Sequence, residues 1–341
     1  MLVVVSAALL SAVAFASGSQ SAPTSLPTNV KGISSLFAPP ADFNPITASD
    51  DELAAYALPP RPDAKAEPQA YASWKKAMLA SKERVFGELK VTDHYNGTPK
   101  LRNVENGAVS SSNWSGAADV NKLTTYNTKK SYYFIISDYV VPMAEQAFGV
   151  CDGGWDYSSS WVGIDGFGSN DVLQAGTESD AYCNGGSTNT FYSAWIEWFP
   201  FSETRISLPV TGGDDMFVEV WNTSSVQGFA YLVNENTGQV QEYGLNPPSG
   251  TQLVGNSAEW VVERPGVGGG LANLTNYLQD FFANCFAYNF TEKPSFGPGS
   301  KTNLTLTNYQ ITMDDNNGNP ISYPTLLGTN GIWFQDEGSA Y

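Results

Sequence analysis

The spacing of apolar residues divides the chain near residue 110. Before it, the spacing predicts helices. Ser49-Asp50-Asp51-Glu52 is a capping-box motif ahead of an apolar run, and residues 68–89 carry Trp74 and Met78 at helical spacing. We call residues 17–110 the front piece and residues 111–341 the body.

From Asn113 the pattern changes to short runs rich in aromatic and β-branched residues, separated by Gly, Asn, Asp and Pro. These runs are residues 132–141, 160–164, 191–199, 216–221, 230–233, 259–262 and 302–313. Many short strands with no alternating helices predict an all-β body, an antiparallel sandwich or barrel folded as one domain. One short helix is expected over residues 271–282.

The first residues resemble an export signal. Residues 2–16 are apolar and end in Ala14-Phe15-Ala16, a small-x-small cleavage pattern, although no Lys or Arg precedes them. We therefore expect a signal peptide over residues 1–16 and a secreted protein, with no membrane association after signal removal. A buried helix or a misplaced start codon are the alternatives.

Charge separates the same two parts. The chain has 17 Lys and Arg against 34 Asp and Glu, a net charge of -17. Such acidity argues against nucleic-acid and anionic-membrane partners. The front piece holds 10 of the basic and 10 of the acidic residues, so the body carries all of the net charge. This predicts a propeptide held partly by electrostatics that acid weakens. A small helical domain or a partner-binding arm would also fit.

Histidine and cysteine limit the chemistry. His94 is the only histidine, so a body without the front piece has none. Ser-His-Asp and Cys-His hydrolysis and His-ligated zinc are then excluded, and we expect no cofactor or metal. Cys151, Cys183 and Cys285 lack metal-ligand spacing and are interpreted as structural. Two of them can pair in an exported chain, but the sequence does not choose which.

Several predicted strands place carboxylates or amides among aromatic residues. Strand alternation puts Glu259 and Glu263 on one face and Trp260 on the other. It likewise groups Trp195 with Glu197, and Trp161 with Asp165. A half-buried carboxylate is unfavourable unless hydrogen-bonded, and such groups are enriched in functional sites. Taken singly, each residue is more often on a solvated sheet face.

Together these segments resemble the glutamic peptidases, also called eqolisins. The ordered motifs are Asn113-Trp114-Ser115-Gly116, Trp161-Val162-Gly163-Ile164-Asp165-Gly166, Leu173-Gln174-x-Gly176, Trp195-x-Glu197-Trp198 and Ser257-Ala258-Glu259-Trp260. The resemblance runs from Asn113 to the C-terminus. In the front piece, Phe43-Asn44-Pro45 and Leu58-Pro59-Pro60-Arg61-Pro62 are similar to prokaryotic-type propeptides of the family.

The resemblance implies a concanavalin A-like fold of two packed antiparallel sheets, with substrate lying across a concave face. It implies a catalytic pair in which Glu259 is the general base that activates water and Gln174 donates a hydrogen bond to the oxyanion. A carboxylate with an ordinary pKa functions best as a general base at acid pH. Polypeptide substrates, inhibition by the chain's own propeptide and a monomeric enzyme are further expectations.

Supporting residues are expected around that pair. Trp161 and Trp195 are candidate cleft walls, although ordinary core packing suits them equally well. Asp165, Glu178 and Glu197 are candidate supporting carboxylates. Glu178 stands where the best-known fungal members have Asp, and Ser193 occupies a place often held by Asp.

Other classes remain as alternatives. A carbohydrate-binding or glycoside-cleaving sandwich would also place Trp residues and paired carboxylates on a sheet, but the Glu-x-Asp-x-x-Glu strand signature is absent. An adhesive β domain without chemistry is a second rival. An aspartic peptidase would need Asp-Thr-Gly or Asp-Ser-Gly, and neither occurs. Residues 314–318 are interpreted as a turn rather than a calcium loop.

Overall fold

The computed structural model describes residues 25–105, 108–147, 153–289 and 307–337. The helices in these residues are α1 (Asp50–Ala55) and α2 (Pro68–Ala80). The strands up to residue 111 are β1 (Ser25–Pro27), β2 (Ile33–Leu36), β3 (Glu83–Arg84), β4 (Lys90–Val91), β5 (His94–Tyr95), β6 (Leu101–Glu105) and β7 (Ala108–Ser111).

The remaining strands make up most of the body. They are β8 (Trp114–Val120), β9 (Tyr132–Val140), β10 (Gly154–Asp156), β11 (Ser159–Ile164), β12 (Val172–Asn184), β13 (Ser187–Phe199), β14 (Thr204–Arg205), β15 (Asp215–Ser224), β16 (Gln227–Asn234), β17 (Gln239–Leu245), β18 (Ser257–Glu263), β19 (Gly266–Val267), β20 (Gly270–Leu271), β21 (Gln279–Asn289), β22 (Thr307–Asp314), β23 (Pro320–Leu327) and β24 (Gly331–Asp336).

The strands form two sheets packed face to face. The first sheet runs β6–β7–β22–β8–β18–β11–β12–β13–β14–β4, antiparallel except for the β7–β22 pair. The second runs β23–β24–β21–β9–β15–β16–β17–β2–β1. The predicted antiparallel sandwich is therefore confirmed.

The core lies between the two sheets because alternate residues of each strand point inward. Val162 and Trp260 of the first sheet share this core with Val218, Val220 and Leu232 of the second. The alternation predicted around Glu259 is confirmed, since Trp260 belongs to this core and Val261 to a separate cluster on the opposite face. Each sheet thus has one further face that the sandwich core does not cover.

The front piece covers both of these remaining faces. Residues 33–84, here called the layer, hold α1 and α2 against the outer face of the second sheet. Residues 90–98, here called the strap, cross the outer face of the first sheet, where β4 pairs with β14 and β5 pairs with β19 in a small sheet with β20.

The helices follow local signals closely. Ser49 caps α1, with its hydroxyl accepting from the Glu52 backbone N–H while the Glu52 carboxylate accepts from the Ser49 backbone N–H, so the predicted capping box is confirmed. Pro68 occupies the first turn of α2. This helix ends at Ala80, well before residue 89, because the chain there turns to pair β3 with the edge of β17.

The predicted helix over residues 271–282 is wrong. Leu271 ends β20, and β21 begins at Gln279. Leu278 has a positive φ of 59°, which a helix does not accommodate. The apolar residues of this segment pack instead through strand pairing, as Phe282 faces Tyr139 of β9.

The remaining predictions concern the N-terminal residues, the division of the chain, the cysteines and the membrane. Residues 1–16 lie outside the described residues, and the division at residues 17–110 and 111–341 stays a prediction. Cys183 is disulfide-bonded and Cys285 keeps a buried free thiol, while Cys151 lies outside the described residues. Within the described ranges, neither helix has the length and apolar character that crossing a membrane requires.

Candidate active site

Gln174 and Glu259 face each other across one strand of the first sheet. Gly163 of β11 is paired with Gln174 of β12 on one side and with Glu259 of β18 on the other. Two strand spacings separate the Cα atoms of Gln174 and Glu259, about 9–10 Å. Both residues are fully buried.

The absence of a side chain at Gly163 lets its neighbours pack closely around the candidate pair. A Cβ atom added there would lie 2.9 Å from the Trp161 ring, 3.1 Å from the Gln174 Cβ and 3.1 Å from a Val172 methyl group. Each distance is shorter than ordinary van der Waals contact. Any side chain at position 163 would therefore push on Gln174.

Glu259 is a buried carboxyl with unused hydrogen-bonding capacity. One oxygen, Oε1, accepts from the Phe167 backbone N–H at 3.3 Å. The other, Oε2, has no hydrogen-bond partner among the described residues. Burial raises the pKa of Glu259 well above its ordinary value, against weaker lowering by hydrogen bonds from Ser257 and Phe167. A buried, neutral carboxyl becomes a base only when water reaches it.

The amide of Gln174 is occupied by the strap. Its Nε2 donates to the backbone carbonyl oxygen of Asn96, and its Oε1 has no partner among the described residues. The Asn96 N–H donates to Glu197 Oε2 at 3.0 Å. The strap therefore presents a peptide carbonyl to the one side-chain donor that the resemblance assigns to the oxyanion.

Burial raises the pKa of Glu197 well above its ordinary value, more than the hydrogen bond from the Asn96 N–H lowers it. Its second oxygen, Oε1, has no hydrogen-bond partner in the described chain. Glu197 is directly opposite Gln174 in the β12–β13 pairing. It thus binds the strap next to the candidate pair.

The candidate walls are buried aromatic residues, and one of them, Trp161, is hydrogen-bonded to a further carboxylate. Trp161 and Trp195 are fully buried, and Trp161 packs edge-to-face on Trp114 with ring centroids 4.9 Å apart. Glu263 accepts from the indole N–H groups of Trp161 at 3.1 Å and Trp114 at 3.0 Å. It also accepts from the Gly97 backbone N–H at 3.2 Å. Glu263 therefore links the cleft wall to the strap.

Glu178 forms the centre of a charged cluster at the middle of the strap, beside His94. Its Oε1 lies 2.6 Å from His94 Nδ1, and its Oε2 accepts from Arg205 at 2.5 Å. Burial alone would raise the pKa of Glu178, but His94 and Arg205 together lower it below the ordinary value. Ligand atoms of His94, Glu178 and Glu203 lie within 4.8 Å of one another, but Arg205 already pairs with both carboxylates.

Asp165 acts on the backbone behind Glu259. Its carboxylate accepts three backbone N–H groups, from residues 254, 255 and 256, at 2.6, 2.9 and 2.8 Å. Burial raises its pKa to about 7 even with these hydrogen bonds. Asp165 thus anchors the segment that leads into β18 and positions Glu259, and its contacts are made away from the strap.

The sequence identified the two central residues but not all of their surroundings. Trp161, Trp195, Glu178 and Glu197 lie on the same face as Gln174 and Glu259, although their catalytic or supporting roles stay predictions. The sequence did not predict the contacts that Glu263, Asn96 and Arg205 make at this site. Glu263 was visible from alternation with Glu259, whereas the contacts of Asn96 and Arg205 depend on long-range pairing without a local signal.

Comparison with known proteins adds the family. The model of the peptidase A4 family matches residues 112–319, more than half of the chain. The chain belongs to the peptidase A4 family. This confirms the resemblance to the glutamic peptidases, and the protein is a peptide-bond hydrolase of that family. No curated protein sequence matches the chain.

Solved structures agree with the A4 fold. A scytalido-glutamic peptidase with a transition state analog inhibitor has a TM-score of 0.52 and 23% identity, covering 66% of this chain and 98% of its own. The same peptidase with a peptide-based analog gives 0.52 and 22%, with the same coverage. Aspergilloglutamic peptidase from Aspergillus niger gives 0.44 and 26%, covering 53% of this chain and 99% of its own. The first two similarities, each with a TM-score of 0.52, support the assigned fold of this A4 peptidase.

Proposed function

We propose that this A4 peptidase is an acid-active glutamic endopeptidase made as a precursor, in which the strap blocks the catalytic cleft. The observation that carries the proposal is the hydrogen bond from the Gln174 amide to the Asn96 carbonyl. Gln174 and Glu259 are the catalytic pair: Glu259 takes a proton from the attacking water, and Gln174 donates to the developing oxyanion.

The strap supports latency in two ways. It occupies the amide of Gln174, so a substrate carbonyl cannot reach that donor. It also contributes to the covering of the cleft, where burial favours the neutral form of Glu259. A neutral carboxyl cannot accept the proton of the attacking water. Displacing the strap frees the Gln174 amide to donate to a substrate carbonyl and allows Glu259 to ionise.

The peptide bond whose carbonyl contacts Gln174 is Asn96–Gly97, and we take it as the first bond to be cut. Once acid loosens the strap and water enters, attack on the Asn96 carbonyl carbon gives a tetrahedral intermediate. Glu259 returns the proton to the Gly97 nitrogen, and the C–N bond breaks. The products are a carboxyl at Asn96 and an amine at Gly97. The precursor is thus its own first substrate.

The acid dependence is assigned to Glu178. Its lowered pKa means that its contribution to strap binding is present above the ordinary Glu value and is lost as pH falls through the lowered one. Among the described residues, the other charged groups near Glu178 and His94 include Asp180, Glu197, Glu203, Arg205 and Asp93. Protonating Glu178 leaves His94 and Arg205 without their shared carboxylate, which favours an open strap.

The raised pKa values of Glu197 and Glu263 have the opposite effect on the pH dependence of strap binding. These two carboxyls bind their protons more tightly under the strap. A neutral carboxyl still accepts a hydrogen bond from the strap backbone, however. Protonation of Glu197 or Glu263 therefore preserves these contacts, while protonation of Glu178 removes the charge that pairs with Arg205 and contacts His94. We assign opening to one proton at Glu178.

The test is a digest of an unfolded protein substrate at about pH 4 after acid treatment of the precursor. Glu259→Gln is expected to reduce the rate about 10³-fold and Gln174→Ala about 10²-fold. Glu219→Gln, a matched change of a buried carboxyl on the opposite face, is expected to leave the rate within about twofold. Undiminished cleavage in Glu259→Gln would overturn the catalytic assignment.

N-terminal sequencing of the acid-treated precursor tests latency separately. Wild type is expected to yield a new terminus at Gly97, and Glu259→Gln to remain uncut. A first cut elsewhere would show that Asn96–Gly97 is not held as a substrate.

Secretion is proposed on two grounds. The Ala14-Phe15-Ala16 pattern suits signal cleavage, and the disulfide at Cys183 suits an oxidising compartment. Recovery of the protein from the culture medium, with its N-terminus at Ser17, is the expected result. Full-length precursor confined to the cells would contradict it.

A further inference from the structure

The outer face of the second sheet is an extended apolar surface. Among the described residues it presents ten buried apolar side chains, seven of them aromatic. They are Phe134, Ile136, Phe217, Trp221, Phe229, Tyr231, Val233, Val240, Phe286 and Tyr288. Aromatic side chains bury large areas, and soluble proteins rarely leave such a surface in contact with water.

The layer is what covers this surface. Leu53 of α1 and Trp74, Ala77 and Met78 of α2 belong to the same buried cluster, and Trp74 is fully buried. The layer also adds main-chain pairing, because β2 is antiparallel and β3 parallel to β17. The two sides therefore form one continuous apolar interior.

Several side-chain polar contacts also cross this interface, and some of them are exposed to solvent. Ser73 donates to Asp138 at 2.8 Å, and Arg84 pairs with Glu242 at 2.5 Å. Lys76 pairs with Glu235, but Lys76 is 61% exposed. The interface thus depends mainly on apolar burial, in contrast to the strap, whose contacts are hydrogen bonds and ion pairs.

We propose that cutting the strap leaves the layer bound, so that the mature enzyme consists of two chains, the layer and the body, joined along the outer face of the second sheet. This rests on the proposed function in one respect, that maturation cuts the precursor within the strap. Such a cut removes a covalent link between the two parts, and the gain in translational entropy then favours separation. It exposes none of the apolar interface, however, so the apolar burial that opposes separation is unchanged.

Acid strengthens this interface. Glu219 is fully buried under the layer, and neither carboxylate oxygen has a hydrogen-bond partner in the described chain. Burial, and then the charge of Glu242, raises its pKa well above the ordinary value. Burial likewise raises the pKa of Glu242 to about 8, even though Arg84 opposes the shift.

The remaining charged or titratable groups near Glu219 are Tyr133 and Tyr231 of the second sheet and Glu67 of the layer. A raised pKa in the covered state means that the covered state binds the proton more tightly. The stabilisation is therefore complete below the ordinary Glu value and is lost as pH rises through the covered-state value, near pH 8 for Glu242. The layer is held most tightly in the acid in which the enzyme works.

The test uses the full chain with a recognition site for a sequence-specific protease inserted between Phe86 and Gly87, where Phe86 is 64% exposed. A Glu259→Gln background prevents self-cleavage, so the result does not depend on the proposed activity. After the cut, size-exclusion chromatography at pH 4 is expected to give one peak containing both fragments in equal amounts. Separate elution of the layer at pH 4 would overturn the proposal.

Two further variants test the cause. Trp74→Ala is expected to release the layer at pH 4 after cutting, while Lys76→Ala, at an exposed site on the same helix, is expected to retain it. Above pH 8 the unsubstituted layer is expected to dissociate at least tenfold more readily than at pH 4, and Glu219→Gln to lessen this difference. Equal retention at both pH values in the parent chain would overturn the role of Glu219.

Discussion

The two covers supplied by one front piece differ in chemistry. The strap lies on a face lined by Gln174, Glu259 and Glu263 and is held by hydrogen bonds and ion pairs. The layer lies on an aromatic face and buries Trp74 completely. The front piece therefore covers the candidate active site through contacts that are sensitive to protonation, and covers the second sheet through apolar contacts.

Because of this difference, pH is expected to act in opposite directions on the binding of the strap and of the layer. Under the strap, Glu178 has a lowered pKa, so its contribution is lost in acid. Under the layer, Glu219 and Glu242 have raised pKa values, so their contribution is lost in alkali. A cover proposed to leave and a cover proposed to stay can thus be encoded in adjacent parts of one front piece.

The largest expected effect is on the layer. Trp74→Ala should lower the free energy of unfolding by about 3–5 kcal/mol, because it removes a fully buried indole and leaves a cavity. Urea denaturation of the Glu259→Gln chain measures it. Phe86→Ala, at an exposed aromatic of the front piece, should change the value by less than about 0.5 kcal/mol. Equal effects would remove the distinction between an apolar cover and a simple tether.

A substitution on the cleft side should affect catalysis more than folding. Gly163→Ala places a methyl group against Gln174 and Trp161 and should reduce kcat/KM about 10²-fold by displacing the oxyanion donor. Steady-state kinetics on a peptide substrate measures this change. The matched control is Gly154→Ala, where an added Cβ meets nothing within 4 Å. Unchanged kinetics in Gly163→Ala would show that the space at Gly163 is not needed.

The strap should respond to loss of one carboxylate. Glu178→Gln removes the charge that binds His94 and Arg205, and should lower the hydrogen-exchange protection of the Asn96 and Gly97 amides about tenfold at pH 6–7. In the parent chain, protection should fall as pH drops below about 4.5. Exchange is measured in the Glu259→Gln background and corrected for intrinsic rates. Glu88→Gln is the control, and equal protection in both variants would contradict the role of Glu178.

The smallest effect should be at the rim of the layer. Lys76→Ala breaks an ion pair whose cation is 61% exposed, and should destabilise the chain by less than about 0.5 kcal/mol. The same denaturation experiment measures it. A loss above about 1 kcal/mol would mean that this exposed ion pair contributes more to the layer interface than surface pairs ordinarily do.

Sequence reasoning predicted the parts of the molecule that local patterns specify. The capping box at Ser49 fixed the start of α1, and the period of two around Glu259 placed Trp260 in the core and Val261 outside it. The motif order then paired Gln174 with Glu259, and both strands flank Gly163. The first two features depend on residues close together in the chain, whereas the pairing of Gln174 with Glu259 came from the family resemblance.

The errors and omissions involve contacts between distant segments. Residues 271–282 were expected to be helical, but pairing of β21 with β9 and β24 overrode that local preference. The strap was interpreted only as a part of the propeptide, since no local signal indicates that Asn96 meets Gln174, 78 positions away. The two separate covers became visible only from the fold.

The pairing of β2 and β3 with β17 has a consequence for biosynthesis. These two strands satisfy an edge of the second sheet that no body strand pairs with in the described chain. A body synthesised without them would have a bare strand edge next to a large aromatic surface, the combination that promotes intermolecular β aggregation. Because the front piece emerges first from the ribosome, it is already available when β17 appears, and it can guide the folding of this sheet.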